Sequence, residues 1–317
     1  IGIGYSTLYN NTTGSDNIAI GYFSQYNNLS GNDNYSIGYQ TLYNNTSGSQ
    51  NLAFGERALT SNTTGAGNVA VGRNTLYNNT TGTYNVAIGY KTLRCNTTGC
   101  YNISIGFAGL AFNTIGNNNA ALGYSALNSN TTGINNFAVG YFALYGNSIG
   151  SNNVAIGYSA LCKNICGNSN VAQGYKSLFN NTCGCNNIAL GCIALYCNTT
   201  GNNNIAVGGQ TLRYNTTGND NIAQGYAALY CNTTGNSNIA IGCSTMYGNT
   251  YGNNNIALGY CAGYDNTTGC NNIMIGVNSR APTPTSTNTI TIGTTSYTCQ
   301  RAPSATWTSL SDARDKT

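Results

Sequence analysis

The sequence predicts an all-β protein, a parallel β-solenoid (β-roll) built from 17-residue coils, on three observations. One motif returns every 17 residues, opening at Ile1, Ile18, Tyr35, Leu52, Val69 and Val86 and continuing to Ile256, for sixteen full copies. Four of its positions never change: the fourth is Gly, the eleventh Asn, the fourteenth Gly and the seventeenth Asn. The copies open on three residues of apolar, small, apolar type, as in Ile18-Ala19-Ile20 and Val154-Ala155-Ile156. Such a stretch is too short for a helix and lies between an Asn and a Gly.

Taken in order along the coil, the first three positions make a short strand. The eighth position is nearly always Leu (Leu42, Leu59, Leu93, Leu161, Leu229) and marks a second short strand or extended arm. The Asn-Thr-Thr-Gly that follows is turn chemistry, because Gly adopts positive φ freely and Asn tolerates it. Gly4, Gly14, Gly89 and Gly99, with Asn11, Asn17, Asn96 and Asn102, are therefore the expected turn residues. Equal positions of successive coils then stack ~4.8 Å apart, and sixteen coils make a rod on the order of 75 Å long. One coil alone buries too little to fold, so stability is cooperative along the rod.

Strand alternation assigns the faces. Positions one and three carry Ile, Val, Leu or Phe and are expected to point inward with the Leu of position eight. Gln173 and Gln224, which replace the third-position residue, are expected to bond to backbone groups inside the coil. Position two is Ala or another small residue in all but Met274, and a row of Ala on an outward face implies close approach of another backbone. The expected partner is self: identical parallel chains meeting along this Ala row.

Composition narrows the function. Only 6% of residues are charged and there is no His, so with seven scattered carboxylates no triad, acid/base pair or metal cluster can be proposed, and neither enzyme activity nor a cofactor is expected. Along the chain, Lys and Arg never form a basic run with interleaved aromatics, which argues against a nucleic-acid partner. No apolar run approaches the ~20 residues of a membrane span. The Gly pattern is not a phosphate loop, since no helix follows it. Ile1 is already in repeat register, so residue 1 is expected to be an internal position of a longer protein.

Thirteen Cys begin at Cys95 and scatter over several repeat positions. Cys166 and Cys183 share position thirteen in consecutive coils and are the candidate disulfide; most others lie two coils from a like neighbour and are expected to be reduced. Asn-Thr-Thr is also a glycosylation sequon. At Asn113, Asn147, Asn164 and Asn249 the sequon is lost while the Asn stays, so the turn itself requires the Asn. Tyr at positions five and nine (Tyr5 and Tyr9, Tyr22 and Tyr26, Tyr226 and Tyr230) forms stacked ladders, read as packing in preference to sugar binding.

The recurring Asn-x-Ala-x-Gly core, as in Asn85-Val86-Ala87-Ile88-Gly89 and Asn238-Ile239-Ala240-Ile241-Gly242, resembles the head repeats of trimeric autotransporter adhesins. That resemblance implies a left-handed roll in a parallel homotrimer, although the family's usual unit is shorter. The 17-residue form with Asn-Thr-Thr-Gly looks more like tail-fibre proteins of phages and large viruses. Residues 302–316 are similar to the junction that precedes the endosialidase-type intramolecular chaperone of viral fibres, with its element at Ser311-Asp312-Ala313-Arg314-Asp315-Lys316. The resemblance implies self-cleavage between Leu310 and Ser311, with Asp312 in the junction; the chain runs past that point to Thr317 and lacks the chaperone body. The implied organisation is a repeat solenoid over 1–276, a β-rich trimeric neck over 277–310 and the start of the chaperone junction over 311–317.

The leading expectation is a structural shaft of a virion tail fibre or surface spike, on the virion surface or otherwise extracellular, supporting host attachment. A host-surface glycan or receptor would be met through another region. One alternative is a bacterial adhesin head of the trimeric autotransporter type, which the chaperone-like junction argues against. Another is an ice-binding solenoid, suggested by Thr at position twelve in thirteen of sixteen coils.

Overall fold

The computed structural model describes residues 1–293 and the backbone of 299–301. The chain is an all-β parallel β-solenoid of about 17 turns of about 17 residues, with no helix among the described residues. Each strand pairs in parallel with the next at a constant offset: Val154 with Val171, Ala155 with Ala172 and Ile156 with Gln173. The Cα atoms of Cys166 and Cys183, at equivalent positions, are 4.8 Å apart, which is one strand spacing. Each coil therefore returns the backbone to the same place one layer along.

The faces are the reverse of the expectation. Ala53, Ala70, Ala87, Ala155 and their equivalents at position two are fully buried within the single chain. The bulky residues of positions one and three point outward and stay partly exposed, as in Ile103-Ser104-Ile105 and Phe137-Ala138-Val139. The Ala row is thus an internal column and offers no surface on which a second chain could meet the first. Gln173 and Gln224 are accordingly on the outside, exposed to solvent.

The reason is the narrowness of the coil. Its interior is shared by the small residue of position two, a small residue at position seven (Ala58, Thr75, Ala126, Ser177), the Leu of position eight and two columns of Asn, all buried. Asn96 Nδ2 donates to Asn79 Oδ1 at 2.8 Å and to the Gly99 carbonyl at 2.9 Å. Asn102 Nδ2 donates to Asn85 Oδ1 at 3.1 Å and to the Gly116 carbonyl at 2.8 Å, while Asn85 Oδ1 also accepts the Asn102 backbone N–H. These ladders satisfy turn carbonyls that have no strand partner, which is what burial of a polar group demands. With two Asn per layer inside, no room is left for two β-branched side chains as well.

The Leu at position eight lies in no strand. It sits in a turn with left-handed backbone, at φ 48° for Leu93 and 52° for Leu161, as do the residues at positions six and sixteen. Left-handed backbone costs a non-Gly residue about 1 kcal/mol or more. Inter-coil hydrogen bonds hold it there, with the Leu93 N–H donating to the Gly109 carbonyl at 3.1 Å. Asn and Asp, which visit this region most readily, recur at position sixteen (Asn118, Asn135, Asn152, Asp220).

The repeat does not stop after Gly276. Ile273–Ile275 pairs in parallel with Ile290–Ile292, closing one further coil in which Ser286 and Thr289 take over the partners of the Asn272 side chain. Pairing then reverses, as Ile290–Ile292 runs antiparallel to Cys299–Arg301. Parallel coiling therefore continues past the boundary expected at residue 276, to Ile290–Ile292.

Candidate functional surface

Stacking turns every repeat position into a column, so the candidate surfaces are faces that run along the rod. The strand face carries positions one and three as two largely apolar columns, the second interrupted by Gln173 and Gln224. Ile103, Ile105 and Phe137 keep 42%, 40% and 40% of their surface. From the strand spacing and a three-residue strand, the face is roughly 80 Å long and about 10 Å wide. Its area, on the order of 800 Å2, exceeds the largest apolar patch of ordinary monomers and equals what a specific interface buries per partner.

The next edge carries the aromatic ladders. Tyr90, Phe107, Tyr124, Tyr141, Tyr158 and Tyr175 stack in consecutive coils, with centroids 5.2, 4.9, 4.9, 5.4 and 5.5 Å apart. Tyr5, Tyr22 and Tyr39 form a shorter ladder in the same column, which continues into the Glu56–Arg73 ion pair at 3.1 Å. At position nine, Tyr230, Tyr247 and Tyr264 stack at 4.8 and 5.1 Å. Cations are interleaved with these rings: Lys91 Nζ lies 4.9 Å from the Tyr90 centroid, and Arg213 lies over both Tyr214 and Tyr230. Basic residues that look scattered along the chain are brought by the 17-residue period onto one edge. Reading the sequence by column instead of by run is the signal that finds it.

On the turn edge, the position-twelve Thr is not a free hydroxyl row. Thr97 Oγ1 donates to the Thr114 carbonyl and Thr114 Oγ1 to the Thr131 carbonyl, at 3.1 and 3.0 Å, so these hydroxyls bind the next coil. The sequon Asn is likewise committed: Asn96, Asn130 and Asn198 are fully buried, and each side-chain nitrogen makes two hydrogen bonds. The donor of each of these Thr hydroxyls is thus spent within the rod, and the sequon Asn amides are occupied by the interior ladder.

Cys166 and Cys183 are joined in a disulfide that ties two consecutive coils. Among the described residues ten other cysteines are free, and burial pushes the thiols of Cys162, Cys197 and Cys231 above their ordinary range, which makes them poor thiolates at neutral pH. Tryptic cleavage after Lys163 and Lys176 separates the two bonded residues. A non-reducing digest should therefore yield peptides 164–176 and 177–213 linked, separating on reduction. Recovery of unlinked 164–176 without reductant would count against the bond.

Gly4, Gly89 and the other fourth-position glycines all have positive φ, and Asn11, Asn17, Asn96 and Asn102 belong to the interior ladders. Gly14 and Gly99 do not have positive φ, contrary to the expectation. They are held to Gly because a Cβ there would meet the next coil's Gly31 or Gly116 carbonyl oxygen and the Asn11 or Asn96 side chain. The junction residues Leu310, Ser311 and Asp312 lie outside the described residues. No protein-family model and no curated protein matches the chain.

Proposed function

We propose that the chain is a structural shaft segment, a rod whose identical copies associate side by side along the columns of positions one and three. The observation that carries this reading is that the core is complete within one chain while a long, uncharged and largely apolar face, interrupted at Gln173 and Gln224, remains outside. Its periodicity selects the occupant. A face repeating at one strand spacing is matched in register by another face of the same period, which a second copy of this chain supplies. The large area, the lack of charge on the columns and the ~10 Å separation at which sheets pack face to face all suit such a bundle.

A stoichiometry of three follows the resemblance to trimeric fibre and adhesin heads, as does placement at a virion surface, where stiffness and reach would hold a receptor-binding tip away from the particle. Native mass determination tests the reading. The expected particle is three times the 33.1 kDa chain. Ile188→Glu with Ile205→Glu, both on the outward columns, should release monomers that keep their β signal. A wild-type chain that remains monomeric at tens of micromolar would remove the bundle.

A further inference from the structure

We propose that the Tyr-lined basic edge binds a linear anionic polysaccharide, one carrying carboxylate or sulfate groups. The evidence is independent of the bundle reading and lies on a different side of the coil. Among the described residues up to Arg280, every Lys and Arg falls on positions five to ten. Arg57, Lys91 and Lys176 occupy position six, Arg73 position five, Arg94 and Arg213 position nine, Lys163 position ten and Arg280 position eight. Three of the carboxylates (Asp16, Asp33 and Asp220) sit at position sixteen instead. The two on the basic edge, Glu56 and Asp265, are paired with Arg73 and Arg280.

The charge is densest where Arg57, Arg73, Lys91 and Arg94 occupy three consecutive coils with Glu56 as the counter-charge in the same columns. Arg57, Asn74, Tyr77 and Arg94 line a recess of about 250 Å3 there. The Arg57 Nε in this recess is buried and has no hydrogen-bond partner, and the Arg213 Nε of the second cluster is in the same condition. A buried guanidinium donor without an acceptor is costly, and an anionic oxygen is its natural complement. The second cluster gathers Lys163 and Lys176 around Phe179, with Arg213 Nη1 donating to the Tyr230 hydroxyl at 3.1 Å.

Geometry selects the polymer. Cations in successive coils repeat at one strand spacing, ~4.8 Å, about the advance of one sugar residue in a linear polysaccharide, so a polyanion can neutralise several layers in register. The planar forks of Arg57 and Arg94 suit carboxylate or sulfate oxygens, as that of Arg73 already suits the Glu56 carboxylate. A single-stranded nucleic acid needs free ring faces on which to stack bases. Beside the two clusters ring faces are met by the cations themselves, Arg57 over Tyr39, Lys91 over Tyr90, Lys163 over Phe179 and Arg213 over Tyr214, leaving ring edges and Tyr hydroxyls for hydrogen bonds to sugar oxygens.

The test uses the full chain and a heparin octasaccharide as probe, with binding followed by calorimetry at low and moderate salt. Binding should weaken about tenfold as salt screens the edge. The variant combining Arg57→Gln, Arg73→Gln, Lys91→Gln and Arg94→Gln should lose at least about tenfold at low salt, from loss of charge-assisted bonds. If that variant loses its β signal, Arg57→Gln with Lys91→Gln serves in its place and should lose at least about threefold. Arg280→Gln, remote from both clusters, should stay within about twofold of the parent protein. Absence of heparin binding at low salt, an equal loss in Arg280→Gln, or an oligonucleotide of equal charge binding as tightly as heparin would each overturn the proposal.

Discussion

Gly140→Ala is expected to destabilise the middle of the rod by at least about 4 kcal/mol, whereas Gly209→Ala, the same chemical change on the aromatic edge, should cost less than about 1 kcal/mol. Gly140 ends its strand at φ 131°, a region that L side chains rarely adopt. A methyl group there would also lie 2.5 Å from the Gly157 carbonyl oxygen and 2.9 Å from its carbon. That neighbour is backbone one layer along and cannot rotate away without breaking the parallel register. Gly209 has no such conflict, since a methyl group would make ordinary contact with the Tyr226 ring at 3.5 Å. Because each coil touches only its neighbours, the damage should be local. Limited proteolysis of Gly140→Ala should cut near residues 137–157 and leave two protected halves, with a fall in the urea midpoint. A Gly140→Ala protein as stable as Gly209→Ala would contradict the stacking argument.

The same geometry explains how much of the fold could be read from the sequence. Period, strand position and parallel in-register pairing follow from the spacing alone, because a 17-residue step that always restores Gly4, Asn11, Gly14 and Asn17 leaves few other structures. The reason for Gly14 did not, since its φ is not positive and lack of space for a Cβ fixes it instead. The faces did not follow. Ranking residues by hydrophobicity places Ile and Val inside, and in most proteins that ranking decides. Here interior volume decides. Two Asn side chains and a Leu fill each layer, so mostly Ala, Ser, Thr or Gly fits opposite them at positions two and seven. A position that tolerates nothing large reports confinement at least as readily as contact with another chain, and the invariant Asn beside it was the clue that the inside is polar. The basic edge was hidden for a related reason: charge adjacency in this fold runs across coils, 17 residues apart, where a scan for local runs does not look.

Two departures from the repeat show how tightly position eight is matched to position two of the next coil. Gln25 replaces Leu, and eleven residues on Ser36 replaces Ala; Gln25 Nε2 donates to Ser36 Oγ at 2.8 Å and to the Ile18 and Asn34 carbonyls. The second pair obeys the same offset with volume in place of polarity. Gly263 stands where Leu is usual, and Met274, fully buried, stands where Ala is usual. A Cβ on Gly263 would lie 2.8 Å from Met274 Cε and 2.9 Å from its Sδ, so the Met side chain occupies the space the Leu has vacated.

This exchange makes a sharp double-mutant prediction. Met274→Ala alone empties the layer and should cost about 2–5 kcal/mol. Gly263→Leu alone overfills it and should cost about 1–3 kcal/mol or more. Together they rebuild the Leu–Ala pair found at Leu161 and Ala172, and the backbone is already suitable, since Gly263 has φ 61° against 52° for Leu161. The double variant should therefore lie within about 1 kcal/mol of the parent protein, with a coupling energy of at least about 2 kcal/mol between residues that are adjacent only because the coils stack. Urea unfolding of the four proteins measures the cycle. Additive losses in the double variant would mean that the two side chains do not share one interior volume, and the stacking register at the end of the rod would have to be redrawn.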